Sequence, residues 1–495
     1  MIVARAKEEH HCEWRELATE LQTKLEAVLS RVSELEHQHA LAMKQIVGPK
    51  RERMPTPEEE AKKLEGNKSR GGYTNPEKRK KNAEAFAALP TTIVPHAIAD
   101  EERRCPHCGD EVKPIGEGDT SVEYEWLPGR LVRRIHVVET GRCPCKMHYA
   151  RGPAPHRVRE GCTYGPALIS KLIVDKCADA IPIYRVEKAM ARAGIPLSRS
   201  TMNELLLLGA DILAPLHALA LGEMRCDPHV QADETSFRLQ TSSTRPFVWT
   251  FLSPTITVYV FSENRSGETA KDILGGTTGS LTIDGYTGYN VVTDVDGRAR
   301  TGCWSHARRY LFDALSTAPE AREGLDIILE LFMVERKAIS MNIVGAAAHH
   351  ELRQRRSKEI LERIRVWRDR MIPNFEPKSP MGAALRYMNN QWERLIAFLA
   401  DPKIPIHNNA SESALRIIAL ARKNSLFFGN AEAGRRFMVL YSLLATCDQH
   451  DVNPETYLAD VLLRIQDHPK QRLGQLLPHR WKELFAASIP LADAT

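Results

Sequence analysis

The sequence predicts a multidomain protein with a mixed α/β core, and three observations support this fold class. The chain has 495 residues, which is enough for several domains and a sizeable core. Residues 229–286 alternate short runs rich in β-branched and aromatic residues with one helical stretch. The segments 163–225 and 318–403 carry helical patterns instead, so the strands are concentrated in the middle of the chain.

The strand-rich region begins with an extended stretch that contains Asp233. Two further strands are predicted at 245–253 and 255–261, and the three segments together read as an antiparallel meander. A capped helix over 266–274 follows, and then a short apolar strand that ends at Asp284.

Glu412 lies far downstream of these strands and supplies a third acid. Asn409 or Ser411 is expected to cap a helix whose first turn contains this glutamate. The order is strand with Asp, two strands, helix, strand with Asp, and finally helix with Glu. This is the element order of a ribonuclease-H-like core, in which three acids meet at one end of a sheet.

Three converging carboxylates indicate a site for hard divalent cations. Mg²⁺ prefers oxygen ligands and keeps several waters, so one or two carboxylates per ion suffice. Two such ions about 3.5–4 Å apart stabilise both the attacking and the leaving oxygen of a phosphoryl transfer. We therefore predict that Asp233, Asp284 and Glu412 bind two catalytic Mg²⁺ ions, which Mn²⁺ is expected to replace. Each acid alone is more often a turn or helix-dipole residue, so the prediction depends on the set of three.

Several segments resemble those of the DDE transposases of the insertion sequence 66 family. They are ADET (232–235), DGYTGYN (284–290), GCWSHARRYLFDAL (302–315), NNASESALRIIALARKNSLFFGN (408–430), NPETYLADVLLRI (453–465), LLPHRW (476–481) and CPHCGD (105–110). The resemblance implies that Asp233, Asp284 and Glu412 are the catalytic triad. Two residues depart from the family pattern, because Ser413 stands where Arg is usual and Ser425 where Trp is usual.

The same resemblance implies a bacterial DNA transposase that binds the terminal inverted repeats of its element and catalyses strand cleavage and strand transfer. Its partners would be double-stranded DNA of the element ends and target, with accessory proteins of the same element. Two alternatives stay open at this point. One is a ribonuclease-H-like nuclease without strand transfer, and the other is a catalytically inactive, zinc-containing DNA-binding repressor.

Charge distribution is more informative than net charge. The formal charge of +5 and a pI near 8.6 are modest for a DNA-binding protein. Basic runs at 67–81 and 353–358 are either solvated surface or phosphate contacts. No apolar run reaches ~18 residues and the first residues lack a signal-peptide pattern, so a cytoplasmic, nucleoid-associated protein is expected.

The first third of the chain is predicted to carry three separate modules. A heptad pattern over 14–46 predicts a coiled coil at 1–47, which we expect to make the protein a homo-oligomer. An amphipathic helix that packs on its own chain is the alternative. Residues 48–100 read as a basic flexible linker.

Residues 101–150 are predicted to form a small zinc-binding β module. A CxxC pair and a CxC pair stand 34 residues apart, and four such thiolates make a tetrahedral structural site for one Zn²⁺. The expected ligands are Cys105, Cys108, Cys143 and Cys145, with His148 as a substitute for either of the last two.

Residues 151–225 are predicted to be a helical, helix-turn-helix-like region. Gly194 is expected to end one helix, and Ser198 or Ser200 is expected to cap the next. Arg199 at the start of that helix is then a candidate for DNA contact. A plain helical hairpin is the alternative.

The catalytic domain is predicted over 226–445 with a helical insertion at 318–403, followed by a C-terminal helical tail at 446–495. His306 is a candidate to lie near the scissile phosphate or to hydrogen-bond one of the acids. Cys303 and His306 form a CxxH that resembles half a metal site, but no matching second pair follows, so no zinc is assigned there. The other candidate DNA contacts are Arg308, Arg309, Arg416, Arg422 and Lys423.

Overall fold

The computed structural model describes residues 156–488, apart from 196, 241–244 and 294–296, together with the strands at 140–142 and 149–151 and single residues at 24 and 84. Strands β1 (Thr140–Arg142) and β2 (Tyr149–Arg151) pair with each other antiparallel. The predicted coiled coil and the basic linker lie outside the described residues. The same is true of the predicted zinc ligands Cys105, Cys108, Cys143, Cys145 and His148.

The centre of the larger compact unit is a five-stranded mixed sheet. Strands β3 (His229–Ser236), β4 (Phe247–Leu252) and β5 (Thr257–Ser262) form the predicted antiparallel meander. β6 (Gly279–Thr282) lies parallel to β3, and β7 (Arg298–Thr301) lies parallel to β6. The strand order is therefore β5-β4-β3-β6-β7.

The middle of the sheet is buried from both sides. Successive residues of β4, from Val248 through Trp249 to Phe251, are fully buried, and so are Val258 and Tyr259 on β5. Successive side chains of a strand point to opposite faces, so this pattern requires cover on each face. The β-branched and aromatic residues that predicted these strands are thus the ones that fill the core.

Helices make up most of the remaining described chain. Before the sheet lie α1 (Pro166–Ile173), α2 (Ile183–Arg192) and α3 (Arg199–Cys226). Between or directly after its last strands lie α4 (Gly267–Leu274), α5 (Asn290–Thr293) and α6 (Trp304–Ala314). The rest are α7 (Ala321–Ser340), α8 (Ala347–Leu352), α9 (Lys358–Met371), α10 (Pro380–Asn390), α11 (Trp392–Ile396), α12 (Asn409–Ser425), α13 (Ala431–Gln449), α14 (Pro454–Asp467) and α15 (Pro478–Leu484).

Two predicted helix starts are confirmed by side-chain caps. Ser266 accepts a hydrogen bond from the backbone N–H of Glu268 at 3.2 Å and begins α4. Ser198, rather than Ser200, caps α3 and accepts from the backbone N–H of Thr201 at 3.2 Å. Such caps satisfy backbone donors that a helix start would otherwise leave unpaired.

Helix α3 is the one described helix that is long and apolar enough to cross a membrane by length and composition. The sequence analysis expected no apolar run of this length and therefore did not single out α3. Leu213 and Leu216 on α3 are fully buried, and the helix packs against α13 and β5. We interpret α3 as a core helix because its apolar face already has these partners.

Helices α7 to α11 fill the segment between α6 and α12, where the helical pattern of 318–403 predicted them. Arg353 in this segment is buried, with 1% of its side chain exposed. The interpretation of run 353–358 as solvated or phosphate-contacting surface is therefore wrong at Arg353. The other basic residues of the run, Arg355, Arg356 and Lys358, are exposed.

Arg353 connects three parts of the insertion. Its Nε and Nη2 donate to the two carboxylate oxygens of Glu335 at 2.9 and 2.7 Å. Its Nη1 donates to the backbone oxygens of Phe398, Asp401 and Ile404 at 2.9 to 3.0 Å. The guanidinium thereby fixes the segment of the chain that leads from α11 towards α12.

Candidate active site at the ends of the central strands

Two of the predicted acids lie next to each other because β3 and β6 run parallel and in register. The last residue pair between these strands is Gln231 with Thr282. Asp233 and Asp284 each stand two residues beyond that pair. The register therefore brings the two carboxylates together at the same end of the sheet.

Glu412 reaches this end of the sheet from the first turn of α12. Asn408, the residue before α12, is fully buried, and its side-chain amide donates to the backbone oxygen of Ala232 at 3.0 Å. Asn408 also accepts a hydrogen bond from the hydroxyl of Ser411 at 2.6 Å. The start of α12 is thus tied to the residue beside Asp233.

The predicted cap of this helix is wrong. Asn409 is the first helical residue and Asn408 occupies the capping position, where no side chain accepts from a backbone N–H of the helix. The side chain of Asn408 is used instead for the contact with β3. Sequence reasoning missed this role, although Asn408 opens the NNASES stretch and was therefore visible as part of a motif.

The three acids interact electrostatically. Burial, together with the nearby carboxylates of Glu234, Asp284 and Glu412, raises the pKa of Asp233 to about 7. A hydrogen bond from the backbone N–H of Glu234 to Asp233 Oδ1, at 2.8 Å, opposes this shift without cancelling it. Crowded carboxylates of this kind are stabilised by a bound cation.

Glu412 and His306 face each other across a short gap. His306 Nδ1 lies 3.8 Å from Glu412 Oε1, and each of these buried atoms lacks a hydrogen-bond partner. Arg309 Nη2 lies 3.9 Å from Glu412 Oε2. A buried carboxylate oxygen without a partner, beside two further carboxylates, fits the oxygen ligands that Mg²⁺ prefers.

Glu234, although adjacent to Asp233, has both of its oxygens occupied. Tyr289 donates its hydroxyl to Glu234 Oε2 at 2.7 Å, and Arg265 Nε donates to Oε1 at 2.9 Å. Successive strand residues point to opposite faces, so Glu234 lies on the face away from Asp233. Glu234 is therefore a structural acid and not a fourth member of the set.

Arg300 holds the turn that carries Asp284. Its Nη2 donates to the backbone oxygens of Asp284 and Tyr286 at 3.1 and 2.9 Å. The backbone N–H of Tyr286 donates to Asp284 Oδ1 at 2.8 Å, which orients the carboxylate. Sequence reasoning missed Arg300, because its position in a short strand was the only signal that the sequence offered for this residue.

The candidate DNA contacts differ in their surroundings. Arg309 and Arg416 are exposed on α6 and α12, as is Lys423, whereas Arg308 is half-buried. Arg422 donates to the hydroxyl of Thr235 at 3.1 Å and so helps to hold α12 on β3. Arg199 is exposed at the start of α3 and pairs with Glu187 at 3.1 Å.

Replacing Asp233 with Asn is expected to stabilise the metal-free protein. The folded-state pKa lies above the ordinary value, so this acid costs stability increasingly as the pH rises from about 4 to about 7. At pH 8 the neutral amide should raise the free energy of unfolding by roughly 2–4 kcal/mol. Urea unfolding in the presence of a chelator measures the change.

The exposed acid Asp272 on α4 provides the matched control. Asp272→Asn should change the free energy of unfolding by less than about 0.5 kcal/mol. A metal-free Asp233→Asn protein that is no more stable than wild type would contradict the crowding of these carboxylates.

A family model described as "Transposase IS66 family" matches residues 161–436, and one described as "IS66 C-terminal element" matches 442–479. The chain is 32% identical over 410 residues to the uncharacterized protein y4jD of Sinorhizobium fredii, covering 78% of this chain and 79% of that protein. It is 29% identical over 429 residues to the uncharacterized protein y4hP of the same organism, covering 80% and 76%.

Proposed function

The chain belongs to the IS66 transposase family, and we propose that it cleaves the DNA ends of an insertion sequence and joins them to target DNA. The observation that carries this proposal is the meeting of Asp233, Asp284 and Glu412 at one end of the sheet. Phosphoryl transfer on DNA needs positioned charge rather than a protein nucleophile. An acid cluster held by strands and a helix meets that need.

The strand order supports a ribonuclease-H-like core for this catalytic domain. Three antiparallel strands are followed by two that run parallel to the first, in the order β5-β4-β3-β6-β7. A helix then delivers the last acid, as the order of elements in the sequence predicts. The helical segment α7–α11 is accommodated between α6 and α12 without interrupting the sheet.

Asp233, Asp284 and Glu412 would hold two Mg²⁺ ions, which Mn²⁺ is expected to replace. Bound at such a site, divalent ions lower the pKa of a coordinated water and stabilise charge on the attacking and leaving oxygens. The protein's own contribution is positioning. Asn408 holds the helix of Glu412 on β3, and Arg300 holds the turn of Asp284. His306 lies beside Glu412, where it can orient that carboxylate or contact the scissile phosphate.

DNA would approach this end of the sheet along a positively charged border. Arg308 and Arg309 lie on α6, while Arg416 and Lys423 lie on α12, the helix that also carries Glu412. Their charges offset the repulsion between the acids and the phosphate backbone. Arg199 at the start of α3 would add a contact from the helix-turn-helix-like region. Arg422 contributes by fixing α12, since its guanidinium already binds β3.

Residues 1–150 would contribute a coiled coil and a zinc-binding module. The coiled coil would make the protein a homo-oligomer that holds two DNA ends together. One structural Zn²⁺ would be bound by the cysteines of the zinc-binding module. Accessory proteins of the same element are expected partners, and a cytoplasmic, nucleoid-associated location follows from action on bacterial DNA.

A joining assay tests the proposal. The full chain, Mg²⁺, a linear DNA with the element's end and a supercoiled target plasmid should give cleaved ends and joined products. DNA with a scrambled end is the control and should give neither. Cleavage without joined products would identify a nuclease instead, and end binding without cleavage would identify a DNA-binding repressor.

A further inference from the structure

Cys303, His306 and Glu412 form a cluster of potential metal ligands of three different chemical kinds. One ligand atom from each residue lies within 4.8 Å of the other two. Cys303 is fully buried, whereas His306 and Glu412 are partly exposed. Among the described residues, this is the set of three His, Cys, Asp or Glu side chains whose ligand atoms all lie this close together.

Two helix starts create the cluster. Cys303 occupies the position before α6 and His306 lies three residues later, so both face the same side of the helix start. Glu412 comes from the first turn of α12. The backbone N–H of Asn408 donates to Cys303 Sγ at 3.2 Å, which joins the two helix starts. Burial raises the pKa of the Cys303 thiol, and this hydrogen bond opposes that shift.

Two of the three ligand atoms are buried without a partner. His306 Nδ1 and Glu412 Oε1 are 3.8 Å apart, which is too far for a hydrogen bond. Two ligands on one tetrahedral zinc, each about 2.0–2.2 Å from the ion, stand roughly 3.3–3.6 Å apart. A slight closure would therefore let a single cation satisfy both atoms.

The chemistry of this donor set favours zinc over magnesium. A thiolate and an imidazole are ligands for Zn²⁺, whereas Mg²⁺ takes oxygen ligands almost exclusively. Three protein ligands also leave a fourth position open for water, as in catalytic zinc sites. On binding, Cys303 would release its proton to the buffer and Glu412 would be engaged by the new ion.

We propose that Cys303, His306 and Glu412 bind Zn²⁺, and that this withdraws Glu412 from Asp233 and Asp284 and stops DNA cleavage. The inhibitory half rests on the proposed function, because it assumes that Glu412 is needed for cleavage. The binding half depends on the three side chains alone. The site is distinct from the zinc site proposed for residues 101–150.

Zinc content tests the binding half. Equilibrium dialysis of the full chain should show one equivalent of Zn²⁺ fewer for Cys303→Ser than for wild type. Cys447→Ser is the matched control, because Cys447 is equally buried but lies on α13 away from the cluster. If Cys303→Ser does not fold, His306→Ala should show the same loss. Unchanged zinc content in a folded variant at Cys303 or His306 would overturn the site.

Zinc sensitivity tests the inhibitory half. Each protein's Mg²⁺-dependent cleavage is normalised to its own rate without zinc. One equivalent of Zn²⁺ beyond the 101–150 site should slow wild type and Cys447→Ser at least tenfold and leave Cys303→Ser within twofold. Equal inhibition of all three would overturn the switch. Because the dialysis result holds whether or not the chain cleaves DNA, failure of the site and failure of the proposed function are distinguishable.

Discussion

Replacing Glu412 with Gln is expected to reduce DNA strand cleavage by on the order of 10³-fold or more. The amide keeps the size and shape of the side chain but removes the charge that would hold a divalent cation. Asp233→Asn and Asp284→Asn should have effects of the same order, because the three carboxylates act as one set. Cleavage of labelled element ends in Mg²⁺ measures the loss.

Glu268→Gln is a closely matched control for Glu412→Gln. Glu268 also lies in the first turn of a helix, α4, and is exposed. The Glu268→Gln protein should cleave DNA at the wild-type rate. End binding, measured by fluorescence anisotropy, should stay within about threefold in every variant, because no phosphate contact is removed. Near-normal cleavage by any one of the three acid variants would exclude that acid from the catalytic set.

The second large effect is expected at Arg353, which contacts none of the three acids. Arg353→Ala should lower the free energy of unfolding by about 3–5 kcal/mol. The change leaves the carboxylate of Glu335 without its buried cation, and it leaves three backbone oxygens between Phe398 and Ile404 without a donor. Urea unfolding measures the change.

Arg356→Ala is the control, because Arg356 belongs to the same basic run but is exposed. It should change the free energy of unfolding by less than about 0.5 kcal/mol. Cleavage should also fall more in Arg353→Ala than in Arg356→Ala, since the segment that Arg353 fixes leads directly into Asn408 and α12. An Arg353→Ala protein as stable as wild type would show that these hydrogen bonds contribute no net stability.

The sequence was sufficient to predict the strands, because their signal is local. Runs rich in β-branched and aromatic residues mark β4 and β5 without reference to the rest of the chain, and β3 is the extended stretch before them. The placement of Asp233 and Asp284 then followed from strand order, and the register of β3 with β6 agrees with it. The first-turn position of Glu412 was also visible in sequence.

The missed features all depend on partners that are distant along the chain. Arg353 was read as part of a basic surface run, yet its backbone partners lie 45 to 51 residues away. Asn408 binds the oxygen of Ala232, 176 residues earlier. Similarly, CxxH spacing offered only Cys303 and His306, because the third potential ligand is on another helix. Residue spacing predicts contacts within a single turn or helix. The contacts that were missed join elements that are far apart in the sequence.

The late position of α12 in the chain has a consequence for protein synthesis. The two aspartates leave the ribosome well before Glu412, and Glu412 is held in place by contacts of Asn408 and Arg422 with β3. A nascent chain, or a product truncated within α7–α11, would therefore contain two acids and the Arg199 region but lack the third acid. We expect such a fragment to occupy DNA without cutting it, so that only a chain translated through α12 can break a strand.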